Sequence, residues 1–116
     1  MKKFQCAQIW LVNFDPSFGH EYKKVRPALI IQSNKYITTF PLLTIIPISS
    51  QVNKKADIDI FLSKDDQNRL MLNSLIKIKQ ISSFDERRFL RLIGVANDNV
   101  MRKVKSNIQD FLVGDF

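Results

Sequence analysis

A chain of 116 residues is long enough for one domain with its own core, and 45% hydrophobic with 25% charged residues is ordinary for a globular protein. A net charge of +7 and a pI near 9.8 point to a polyanionic partner, nucleic acid first among them. One cysteine, one histidine and three glycines exclude a disulfide framework, the usual zinc site and a glycine-rich phosphate loop.

No apolar run approaches the ~20 residues of a membrane span. Gln5, Gln8 and Asn13 interrupt the stretch after Lys2 and Lys3 that would have to act as a secretory signal. A cytoplasmic protein is therefore expected. Cys6 reads as a small residue filling a gap near the first strand, with a reactive thiol as the other reading.

Gln8 to Phe14 is rich in β-branched and aromatic residues and predicts a strand buried on most of both faces. Asp15-Pro16-Ser17 closes it with turn chemistry, and a polar loop runs from Phe18 to Val25. Arg26 and Pro27 open a second strand whose core part is Ala28 to Ile31. After a turn at Gln32 to Lys35 and a loop from Tyr36 to Phe40, Pro41 to Ile48 predicts a third strand. Ser49, Ser50 and Gln51 follow it, then a basic turn at Lys54 and Lys55.

Ala56 to Leu62 alternates as a half-exposed fourth strand, with Ile58 and Ile60 inward and Asp57 and Asp59 outward. A polar connector from Ser63 to Arg69 holds a short helical turn capped by Ser63. Ser74 to Ile81 predicts a fifth strand that sends Lys77 and Lys79 to one face, either as a cationic track or as a solvated edge. Ser83 and Glu86 have capping-box spacing and predict a short helix ending near Gly94. Asn97 caps a longer helix with an apolar stripe of Val100, Met101, Val104, Ile108, Phe111 and Leu112, ended by Gly114.

Short strands joined by short turns make a mainly antiparallel sheet. About five of them curl most naturally into a small barrel, giving a mainly β fold with C-terminal helices across residues 1–116 as a single domain.

Aspartates are scattered, and their best close pairs, Asp65-Asp66 and Asp57/Asp59, lie in a connector or face outward, which argues against a two-metal nuclease. No serine sits in a nucleophile elbow. A metal-free site remains, drawn from Arg26, His20, Glu21, Ser49, Ser50, Lys77 and Lys79. Arginine's planar fork matches a phosphodiester and stabilises the charge of its transition state. Histidine moves protons near neutrality, and a carboxylate such as Glu21 acts as base or fixes the imidazole's tautomer. With RNA, the neighbouring 2′-OH supplies the nucleophile. The competing readings are a strand-end ion pair for Arg26 and a solvated loop residue for His20.

These residues carry a resemblance. Ile9-Trp10-Leu11-Val12, Phe14-Asp15-Pro16, Gly19-His20-Glu21 and Val25-Arg26-Pro27-Ala28 resemble the opening of the MazF/PemK (Kid) toxins of type II toxin–antitoxin systems. Ile46-Pro47-Ile48-Ser49-Ser50 is similar to that family's third-strand end, with serine where threonine is usual. Ser74, Gln80-Ile81-Ser82-Ser83 and Asp85 are similar to a later segment, and Met101, Val104 and Phe111 fit its last helix.

The resemblance implies an SH3-like barrel, a homodimer, and a cofactor- and metal-free endoribonuclease that cuts single-stranded RNA to a 2′,3′-cyclic phosphate and a 5′-hydroxyl. It further implies a cognate antitoxin with an acidic or disordered tail. Arg26 matches the catalytic arginine, Ser49 the catalytic or phosphate-binding hydroxyl, and His20 and Glu21 the residues of the PemK branch. On this reading Lys23, Lys24, Ser50, Gln51, Lys77, Lys79 and Gln80 bind RNA. Lys79 stands where the family has an acid and Lys77 where the PemK branch has an arginine, so the base is His20 or Glu21. The alternative is a degenerate toxin-like module that binds RNA or an antitoxin without cutting. Phe18, Tyr22 and Tyr36 are aromatics such a groove could stack bases on. A groove for proline-rich peptides is the third reading, disfavoured by the basic charge.

Overall fold

Alternation along the first three predicted strands is realised as two apolar faces on one sheet. A computed structural model describes residues 3–14, 25–37 and 41–116. Its elements are β1 (Gln8–Asn13), β2 (Val25–Ile30), a one-turn helix α1 (Asn34–Ile37), β3 (Leu42–Ser49), β4 (Ile60–Leu62), β5 (Ser74–Ile76), β6 (Ser82–Asp85), β7 (Phe89–Val95) and α2 (Asp98–Leu112). Every pairing is antiparallel, in the order β4-β5-β3-β2-β1-β7, and β6 joins β3 beside β5. Successive side chains of a strand point to opposite faces. Accordingly Ile9, Leu29 and Ile46 enter one core, while Trp10, Ala28, Ile30 and Ile45 enter the other.

The first core is closed by α2, whose Val104 is buried while Val100, Met101 and Ile108 pack partly buried against the sheet. Asn97 caps the helix as expected, its Oδ1 accepting from the Val100 amide at 2.8 Å. The predicted stripe stops short, for Phe111 and Leu112 are exposed. Gly114, at φ 63°, ends the helix by donating its N–H to the Gln109 carbonyl. The second core is aromatic: Phe89 is fully buried and meets Phe4 and Trp10 edge-on.

Mainly β with a C-terminal helix is thus the observed class, with seven strands among the described residues where about five were expected. The largest difference is the short helix predicted from Ser83 to Gly94. That segment is β6, a 3-10 turn at Glu86–Arg88, and β7. Its capping signal is real but local: Asp85, not Ser83, accepts from the Arg87 amide at 2.8 Å. Ser83 instead meets the Thr44 hydroxyl across the strands at 2.9 Å. Open edges on β3 and β1 offer Leu42–Ile45 and Gln8–Val12 as partners, and burial of Phe89 outweighs a weak helical preference.

Gly94 belongs to this change. A Cβ there would stand 2.2 Å from the Asn68 carbonyl oxygen, because the turn at residues 66–68 lies against β7 and its Gln67 carbonyl accepts from Val95 N–H. That turn is capped by Asp65, which accepts from Gln67 and Asn68 amides at 2.9 and 2.7 Å, and not by Ser63. Two further strands are shorter than expected. The fourth covers only Ile60–Leu62, with Asp59 turned inward at 4% exposure. The fifth ends at Ile76 and tightens into a 3-10 turn at Ile78–Gln80, so Lys77 and Lys79 do not share one strand face.

Candidate active site

Arg26 is the second residue of β2, half-buried and opposite Val12 of β1. Pairing of β2 with β3 begins at Ala28, opposite Pro47, so Pro27 sits where β2 has only one neighbour and its missing N–H costs no ladder bond. Continued two residues past Ala28–Pro47, the register sets Arg26 against Ser49, the last residue of β3. Alternation puts both on one face, the side of Ala28, Ile30 and Ile45. The Ser49 hydroxyl accepts from the Gln51 amide at 3.2 Å, which pins it where the strand ends. Among the described residues Arg26 has no ion-pair partner. A guanidinium fork and a fixed hydroxyl on one face can each take an oxygen of a phosphodiester laid there.

Ser50 faces the other side of the pair. It lines a cavity of about 440 Å³ with Leu11, Pro27, Ile48, Arg69 and Arg91 among others. Gln51 is exposed, just ahead of a 3-10 turn at Val52–Lys54. His20, Glu21, Lys23 and Lys24 lie outside the described residues, as do Phe18 and Tyr22. Tyr36 is described and exposed, with the Lys35 ammonium 5.4 Å from its ring centre.

The two expected RNA-binding lysines have separate environments. Lys77 Nζ donates to Asp59 Oδ2 at 2.6 Å and to the Lys54 carbonyl at 3.1 Å; its side chain is 16% exposed and that of Asp59 1%. Asp59 Oδ2 also accepts from the Ala56 amide at 2.9 Å. This cluster ties the segment after Ser49–Gln51 to the end of β5. Lys79 is half exposed and pairs with Asp57 at 3.2 Å, holding that carboxyl below the usual carboxylate range. Gln80 is exposed in the same 3-10 turn.

Sequence reasoning missed Asp59 as the partner of Lys77, because strict alternation pointed it to solvent. It also missed Arg69 and Arg91, whose meeting at one cavity leaves no local signal: one is in a turn and the other on β7.

Residues 5–112 match the family described as PemK-like, MazF-like toxin of type II toxin–antitoxin system. The chain is 28% identical over 93 residues to endoribonuclease MazF9 of Mycobacterium tuberculosis, covering 76% of this chain and 78% of that protein. It is 26% identical over 103 residues to endoribonuclease MazF of Staphylococcus saprophyticus, covering 88% and 85%. Its fold is similar to that of MazE-MazF from Deinococcus radiodurans, with a TM-score of 0.81 at 21% identity over 97% of each chain. It is similar also to an endoribonuclease in complex with its cognate antitoxin from a mycobacterial species, with a TM-score of 0.75 at 12% identity over 95% of each. With nearly its whole length matched, the chain belongs to the PemK-like, MazF-like toxins of type II toxin–antitoxin systems.

Proposed function

We propose that the chain is the toxin of a type II pair and an endoribonuclease that cuts single-stranded RNA without a metal, using Arg26 and Ser49 on the phosphate. The register that sets these two side chains on one face carries the reading. The 2′-OH attacks the adjacent phosphorus and the P–O5′ bond breaks, giving a 2′,3′-cyclic phosphate and a 5′-oxygen that takes a proton from water. Arg26 stabilises the phosphorane and Ser49 holds a phosphate oxygen. His20 or Glu21 takes the proton from the 2′-OH, since Lys79 is a cation paired with Asp57. The chain works in the cytoplasm as a homodimer and is silenced by an antitoxin whose acidic tail covers the +7 surface as RNA would. In keeping with this, one similar structure is an endoribonuclease in complex with its cognate antitoxin, and another is MazE-MazF.

Purified protein incubated with mixed-sequence RNA in EDTA tests the reading. Cleavage is expected, with Arg26→Ala slowing it by about 10²–10³-fold, the scale of losing one transition-state donor. Intact RNA, or equal rates in the variant, would overturn it. One observation favours a second reading, a module that binds RNA without cutting: the acid position carries Lys79. Salt-dependent binding without product would establish that reading instead.

A further inference from the structure

The cavity behind the β2–β3 pair has a composition that neither core packing nor the phosphate site accounts for. Its wall is apolar at Leu11, Pro27 and Ile48, yet two arginines, Arg69 and Arg91, line it, and among the described residues no carboxylate does. Among the described residues neither arginine has an ion pair or a side-chain hydrogen bond. Two guanidiniums lining one concavity repel each other and favour an anion between them. A volume of about 440 Å³ falls in the range of small-ligand sites.

Arg69 adds an observation of its own. It is held at φ 57°, a left-handed conformation that glycine adopts freely and that costs a side-chain-bearing residue of order 1–3 kcal/mol. The Arg69 amide donates to the Asp65 carbonyl, which closes the turn, and glycine would serve that turn better. The position carries a side chain at the expense of its backbone.

Position relates the cavity to the phosphate site. Pro27 follows Arg26 and Ser50 follows Ser49, one strand step of ~3.3 Å in each case, and adjacent residues face opposite ways. β2 starts and β3 ends here, so the two strand ends form a lip with the phosphate pair on one side and the cavity on the other. We infer that an RNA strand crossing this lip places its scissile phosphate at Arg26 and Ser49 and a flanking nucleotide in the cavity. The base of that nucleotide lies on the cross-strand neighbours Pro27 and Leu11, and its phosphate lies between Arg69 and Arg91. The inference rests on the proposed ribonuclease reading and assigns it a second subsite.

The test compares the full-length protein with Arg69→Gly, Arg91→Gln and the double variant on mixed-sequence single-stranded RNA in EDTA. Rates, salt dependence and cleavage positions are measured, and sedimentation follows the oligomeric state. Arg69→Gly suits the local backbone, so loss of binding there is not loss of fold. Each substitution is expected to lower kcat/KM by about tenfold, carried by KM. Each should reduce the slope of log affinity against log salt by about 0.7, and flatten the base preference at one position beside the cut. Unchanged KM and salt slope in variants of a cleaving protein would overturn the subsite and leave the ribonuclease reading intact. A shift of the variants to a smaller species would overturn it too, making the face with exposed Met71 and Leu72 an interface between copies. A wild type that neither cuts nor binds RNA would remove both.

Discussion

Asp59 and Lys77 are the test of whether the segment after Ser49 is held by charge. The carboxylate is 1% exposed and accepts from Lys77 at 2.6 Å and from the Ala56 amide at 2.9 Å. Among the described residues, Asp59→Ala leaves the Lys77 ammonium, 16% exposed, with only the Lys54 carbonyl, and frees the Ala56 amide. Removing one partner of a buried pair costs about 3–5 kcal/mol, because the other charge stays desolvated. At about 2.1 cal/mol/K per residue, unfolding 116 residues carries an entropy near 0.24 kcal/mol/K, so Tm should fall by about 12–20 °C. Lys77→Met should cost a similar amount. Asp59→Leu with Lys77→Met, which removes both charges, should recover most of the loss. Urea denaturation followed by circular dichroism gives all the free energies of a double-mutant cycle. Losses below about 1 kcal/mol in the single variants, or strict additivity in the double, would refute the coupling.

Three other expectations concern parts away from this pair. Gly94→Ala should destabilise by about 1–3 kcal/mol or more, since its Cβ meets the Asn68 carbonyl and has no flexible side chain to displace; a urea midpoint equal to wild type would contradict the close approach. Asn97→Ala should lower stability by about 1 kcal/mol, with Asn97→Asp near wild type, both read from thermal melts. Burial pushes the Cys6 thiol up, partly offset by a hydrogen bond with the Ala7 backbone. With the folded value above the unfolded one, its contribution is full below the unfolded pKa of about 8.5 and fades as pH climbs through the folded value. Iodoacetamide should therefore alkylate Cys6 more slowly in the native protein than in urea at the same mildly alkaline pH, and equal rates would show an unperturbed thiol.

The strands that carry Arg26 and Ser49 were legible because their neighbours fill two cores at once. Ile9 and Trp10, or Leu29 and Ile30, are adjacent residues buried on opposite faces, and such runs have few alternatives to a central strand. Phe89 to Val95 was misread because its pattern depends on partners far along the chain. Leu90 and Leu92 are exposed apolar residues there, so no clean alternation marks the strand. Asp59 was misread for a related reason: the alternating run at Asp57–Ile60 assumes a straight strand, whereas the strand begins only at Ile60 and the backbone before it turns. Arg26 and Ser49 stand out as residue types at strand ends, and continuing the β2–β3 register points both to one face. Arg69 and Arg91 could not be linked by any spacing, because what joins them is the packing of the turn at residues 66–68 on β7.

The pairing of β1 on both sides has a consequence in time. Val12 faces Arg26 across one ladder and Phe89 across the other, so the first strand made is completed by the last. Closing so long a loop delays the reward of its contacts, which places folding in the slow, millisecond-to-second range of non-local β topologies. On a ribosome adding about 5–20 residues per second, β1 and β2 wait for seconds with one edge open and Trp10 without Phe89. The frame that orients Arg26 therefore closes only when β7 has been synthesised, and a nascent or truncated chain lacking that strand should remain inert.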